Sequence, residues 1–168
     1  MIKQDLYGLS FNVTNPVLSL TAAATTVTVG TAFNPTIGGS FGTQVSAAAK
    51  TFALVDSLGA AVTPAPTLVA TATSGQACTL VHCFNSAGTY QAIKGPTVNI
   101  NVAGDFSDEL EFPSVPDTLM AAGYSTIKNP VGSSTATFTF GTTNWNATSI
   151  VTTTVNVCTM PARPLVTA

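Results

Sequence analysis

The sequence predicts an all-β fold, an antiparallel β-sandwich of jelly-roll-like layout, and three observations predict it. Apolar residues alternate with Thr, Ser or Asn in one short run after another. Clusters of Pro, Gly and Asn separate these runs at intervals near the roughly 8–12 residues usual in sandwiches and barrels. Only 7% of the residues are charged, whereas an ordinary soluble domain carries about a quarter. The expected organisation is a single domain over 1–168, with 1–16 as an arm and 159–168 as an extended tail.

Each strand follows from the two-fold side-chain period of extended backbone. Leu9, Phe11 and Val13 alternate with Ser10, Asn12 and Thr14, and Leu18 and Leu20 continue after Pro16. Val27 and Val29 alternate with Thr26 and Thr28. Phe52 and Leu54 follow Thr51, with a hairpin turn around Ser57–Gly59. Leu68, Ala70 and Ala72 form the next run, then Val98, Ile100 and Val102. Phe138 and Phe140 alternate with Thr137 and Thr139, and Val151, Thr153, Val155 and Val157 share the last face. Thr, Val and Phe all suit a pleated, half-buried surface.

Two segments depart from this pattern. Residues 30–49 are rich in Gly, Ala, Ser and Thr with weak periodicity, so a long loop is expected there. Residues 114–122 carry a Ser cap, an early Pro, an early acid and a following Gly123, which predicts a short helix. The tail beyond Met160, with Pro161 and Pro164, is expected to run extended.

Composition sets the function classes. A net charge of −2 and five scattered basic residues leave no stripe for phosphate, so no nucleic acid partner is expected. No apolar run is long enough to span a bilayer, so no membrane partner is expected. The first residues carry no apolar run of signal length, and the expectation is a product made in the cytoplasm. The Asn12-Val13-Thr14 and Asn146-Ala147-Thr148 triplets then read as chance rather than glycosylation acceptors.

Candidate sites are few. Cys78, His82 and Cys83 lie close in sequence, with Cys158 further on. On a strand Cys78 and His82 share one face and Cys83 points to the other, which opposes convergence on one metal ion. Buried reduced thiols are the expectation, with a bridge to Cys158 or a metal as the alternatives. Asp105, Asp108, Glu109, Glu111 and Asp117 hold five of the seven acids. They read as an acidic docking loop for a partner or as a solvated loop, ahead of a divalent-cation site. No Gly-x-Ser-x-Gly elbow, phosphate loop or dinucleotide fingerprint occurs, so no catalytic residue, cofactor or small-molecule substrate is expected. Leu9, Phe11, Val13, Phe33, Phe41 and Trp145 are the candidate partner contacts. Trp145 reads equally as a core lid whose indole N–H finds a carbonyl.

In composition and layout the chain resembles decoration or cement proteins of tailed-bacteriophage heads. It is small, rich in Thr, Ala, Gly and Val, nearly uncharged and built of short strands. The resemblance covers the whole chain and is carried by no diagnostic motif. It implies a virion structural protein that binds the major capsid protein and copies of itself, as a dimer or trimer, and stiffens the shell. A tail or fibre-associated adhesin module is the alternative, ahead of a pilus-type subunit. The Thr-rich runs also raise an ice-binding surface, but their irregular spacing fits ordinary strand propensity better.

Overall fold

The computed structural model describes residues 17–20 and 22–156, and every regular element among them is a β-strand. In chain order these are β1 (Leu18–Leu20), β2 (Thr26–Val29), β3 (Thr36–Ile37), β4 (Ser40–Phe41), β5 (Ala49–Thr51), β6 (Leu54–Val55) and β7 (Thr67–Val69). There follow β8 (Gly75–Asn85), β9 (Tyr90–Lys94), β10 (Val98–Ile100), β11 (Leu119–Asn129), β12 (Thr137–Thr139) and β13 (Val151–Asn156). The arm at 1–16 and the tail at 159–168, with Leu9, Phe11, Val13 and Cys158, lie outside the described residues.

The main sheet runs in the order β13-β11-β8-β9-β6, and β10 joins β8 beyond the end of β9. A three-stranded sheet, β1-β2-β5, and two pairs, β12-β7 and β3-β4, complete the described strands. Every pairing is antiparallel except β6 with β9. The break between β9 and β10 falls at Gly95-Pro96, where proline has no N–H for the ladder. Gly95 passes so close to Thr79 and the Glu111 carbonyl that a Cβ there has no room.

The long strands β8 and β11, 11 residues each, form the centre of the sheet and are buried on both faces. Cys78, Leu80 and Phe84 of β8 face the larger core, which β1, β2, β7 and β12 cover through Leu18, Val27, Val29, Leu68 and Phe138. Val81 and Cys83 face the other side, against Ile93, Tyr124 and the partly buried Phe112 and Val115. Ala77 continues that side against Val98, Ile100 and Leu110. The irregular segment 101–118 therefore acts as a cover for the second face. Its Phe106, Leu110, Phe112 and Val115 turn inward and its acids turn out, as burial of apolar area dictates, while Val102 stays exposed in the turn after β10.

Two expectations are corrected. No helix forms at 114–122: Ser114–Thr118 is irregular, and Leu119 and Met120 begin β11, paired with Asn85 and Phe84. Buried Leu119, Met120 and Ala122 serve both faces of a sheet, and tertiary pairing overrides a capping signal worth only about 1 kcal/mol. The 30–49 segment is not a plain loop either. It contains the β3–β4 hairpin, turning at Gly38-Gly39, both at positive φ (59° and 80°), and is closed by a Phe33–Val45 bridge. The two-residue strands are too short to show a period.

The expected turn at Ser57–Gly59 reverses the chain after β6. Val55 bridges to Ala61, and the Asp56 carboxylate accepts from the N–H groups of Leu58 and Ala60 at 2.8 and 2.9 Å.

Candidate functional site

A polar constellation at the heart of the fold spans four adjacent strands. His82 of β8 sits on the larger core face, between Tyr90 of β9 and Ser125 of β11. Its Nδ1 lies 2.6 Å from the Tyr90 hydroxyl and its Nε2 lies 2.7 Å from Ser125 Oγ. Ser125 Oγ is in turn 2.8 Å from Thr154 Oγ1 of β13, which stands opposite it in the ladder.

A β-bulge makes this meeting occur. The β8–β11 register shifts between Ala121 and Gly123, so Ala122 and Gly123 together oppose His82. Ahead of the bulge Met120 faces the larger core; beyond it Tyr124 faces the opposite side, against Phe112 at 4.9 Å between ring centroids. Ser125 is thereby aimed at His82. Gly123 suits the bulge because a side chain there would meet the Val155 carbonyl and Leu18.

Proton counting selects one arrangement. Tyr90 O–H donates to Nδ1, Nε2–H donates to Ser125 Oγ, and Ser125 O–H donates to Thr154 Oγ1. The reverse arrangement leaves the buried Tyr90 hydroxyl proton without an acceptor in the chain, which costs about 1–3 kcal/mol. Burial lowers the His82 pKa to about 3, so the ring is neutral at physiological pH. Burial also raises the Tyr90 hydroxyl well above its ordinary value, which keeps that end of the chain protonated.

The Ser125–His82 spacing has the length of a nucleophile–base contact. Both side chains are nevertheless fully buried, a phenol stands where a triad has an acid, and the ring is a weak base. What the arrangement does chemically is tie β9, β8, β11 and β13 together by directional bonds inside an apolar core. Asn129 plays a similar part at the far end of β11. Its amide donates to the carbonyls of Leu68 and Thr135, both at 2.9 Å, and so holds β7 onto the main sheet.

The sequence-selected residues scatter. Cys78 and Cys83 are buried free thiols on opposite faces of β8, and burial pushes Cys78 up to about 12 and Cys83 higher still. Among the described residues no group of three His, Cys, Asp or Glu side chains is placed to hold a metal ion. Asp105, Asp108, Glu109, Glu111 and Asp117 are all exposed. They edge the cover segment, alternating with inward Phe106, Leu110 and Phe112, and Lys128 reaches over the Phe106 ring at 5.1 Å.

Two partner-contact expectations are corrected. Phe33 lies in the core, edge-on to Phe84 at 4.9 Å, and Trp145 is 1% exposed beneath Phe52, Phe138 and Phe140. The Trp145 indole N–H donates to the Thr26 carbonyl at 3.3 Å, which satisfies its polar atom and fixes it as a core lid. Phe41 is 69% exposed in the β3–β4 hairpin and remains a surface residue.

A shallow groove of about 470 Å³ opens between the β6 turn and the β9–β10 break, lined by Val55, Ile93, Pro66, Pro96 and Pro113. Its charged groups are tied to their own turns: Lys94 Nζ donates to the Gly95 carbonyl and to Thr97 Oγ1, at 2.9 and 2.6 Å. Asp56 holds the turn after β6.

Sequence reasoning identified His82 as the sole histidine but not its partners. Ser125, Tyr90 and Thr154 carry no local signal, because the ladder alone brings them together. Comparison of the chain with family models, curated proteins and solved structures yields no match.

Proposed function

We propose that this protein is a structural subunit of a virus particle. In this reading it is a decoration protein that binds across neighbouring subunits of a bacteriophage shell and stabilises it. The observation that carries the reading is the distribution of polar groups. The histidine with its hydroxyl partners is sealed in the core, while the outside is dressed in Thr, Ser and Asn with only 7% charged residues overall. Hydroxyl-rich surface is cheaper to desolvate than ionic surface, so it suits broad, repeated contact. The layered packing of β1-β2-β5 and β7-β12 on the main sheet supports the jelly-roll-like sandwich expected of such a subunit.

The exposed acids of the cover segment offer a charged docking edge, and Phe41 offers an apolar contact. Several weak contacts made at once on a lattice multiply through effective concentration. The test is biochemical. Purified protein added to shells lacking it is expected to bind saturably and to raise their resistance to heat. Gold-labelled antibody then reads head against tail. Absence of the protein from purified particles, or binding without any gain in shell stability, overturns the reading.

A further inference from the structure

The cover segment is fastened to the sheet beneath it by side chains rather than by a strand ladder. Its first part is a closed hairpin. Asn101 N–H donates to the Asp105 carbonyl at 3.0 Å, Ile100 bridges Phe106, and Ser107 N–H donates to the Asn99 carbonyl at 2.8 Å. Its last part is a turn, in which Leu119 N–H donates to the Pro116 carbonyl at 3.0 Å as β11 begins. Between the two, residues 108–115 run without strand pairing. Glu109 is engaged near the start of this stretch and Asp117 just beyond its end.

The middle of the stretch is seated side chain by side chain. Leu110 enters the cluster of Ala77, Val98 and Ile100, Phe112 stands edge-on to Tyr124, and Val115 packs on the cluster of Val81 and Ile93. The Thr79 hydroxyl donates to the Glu111 carbonyl, and Gly95 leaves the room that this crossing needs. Leu110 is buried, but Phe112 and Val115 keep part of their surface in solvent, unlike the strand residues they cover. Pro113 and Pro116 have no N–H to offer a ladder. A segment held in this way opens at a lower free energy than the paired core. The chain freedom it regains offsets part of the apolar surface it exposes.

We propose that residues 108–115 form a strap that lifts off the second face of the main sheet as a unit while the sheet stays folded. The hairpin at 101–107 and the turn at 116–119 are its hinges. The Thr79 hydroxyl on the Glu111 carbonyl is its latch. Asp108, Glu109 and Glu111 move with the strap, so the acidic edge is adjustable in position rather than fixed to the sheet. In the proposed structural role this lets a docking edge adapt to the surface it meets. The strap itself does not depend on that role. Its test uses the isolated chain and no particles, so either can fail without the other.

The chain has two glutamates, Glu109 and Glu111, and both lie in the strap. A glutamate-specific protease therefore reads strap opening directly, because cleavage tracks the population of the open form. The full chain is digested at neutral pH over a urea series that stops below the unfolding transition, and the products are identified by mass. The expected result is cleavage after Glu109 or Glu111 without urea, leaving a nicked chain that keeps its Trp145 emission. Thr79→Val raises the rate about 2–10-fold, the worth of one hydrogen bond. Val27→Ala, in the larger core on the opposite face, leaves the rate within about two-fold, as does urea in the lower half of the series. If Thr79→Val does not fold, Phe112→Ala replaces it. Cleavage that begins only within the unfolding transition overturns the proposal. So does a rate that climbs about ten-fold or more with Val27→Ala, which marks global unfolding as the route. A Thr79→Val rate equal to that of the wild type overturns the latch and the strap with it.

Discussion

Acidification should weaken this fold through a single buried ring. His82 has a pKa of about 3 in the folded chain, against an ordinary value of 6.5, because burial disfavours the imidazolium. Once unfolded, the ring takes up a proton near pH 6.5; folded, it does not. The stability contributed by the neutral buried ring is thus fully present above pH 6.5 and is lost progressively as pH falls toward 3. The slope within that window is about 1.4 kcal/mol per pH unit. Between pH 6.5 and 4.5 the loss is about 3 kcal/mol, a large share of a typical total of about 5–15 kcal/mol. In urea this moves the midpoint down by about 1–2 M. The assay is urea unfolding at a series of pH values, followed by the emission of Trp145, the single tryptophan and a buried one. His82→Gln is the control. It keeps an acceptor and a donor near Tyr90 and Ser125 but does not titrate, so its stability should start lower and lose this slope. A wild-type midpoint unchanged from pH 7 to 4.5, or a slope that persists undiminished in His82→Gln, refutes the reasoning.

Two further outcomes separate core from surface. Trp145→Ala should destabilise the fold by about 3–5 kcal/mol through the cavity it leaves, while Phe41→Ser should change stability by less than about 0.5 kcal/mol; thermal melts followed by circular dichroism compare them. Gly95→Ala should cost at least about 1–3 kcal/mol, because the added methyl runs into Thr79 and the Glu111 carbonyl where the cover segment crosses β8. A wild-type melting temperature for Gly95→Ala would contradict that close approach.

Local pattern made the outer strands legible. Val27 and Val29, Leu68, Val98 and Ile100, and Phe138 each have one face in the core and one toward solvent, so hydropathy alternates along them. The central strands gave no such signal. β8 and β11 are buried on both faces, and in β11 the bulge reverses the facing of residues midway. The Ser-Pro-Asp signature near 114–118 follows real helix-start chemistry, yet Leu119–Ala121 belong to the ladder with β8.

The amino-acid sequence alone determined that this is an all-β chain, scarce in charge, with turns at its Gly, Pro and Asn clusters, because each of these properties resides in a few neighbouring residues. Only the tertiary structure decided that Phe33 and Trp145 are core and that His82 meets Tyr90, Ser125 and Thr154. It also decided that β13 ends the strand order of the main sheet among the described residues. Burial and strand order depend on which distant segments come to lie side by side. Pairings such as Ser125 with His82, 43 residues apart in sequence, leave no trace in the local run of side chains.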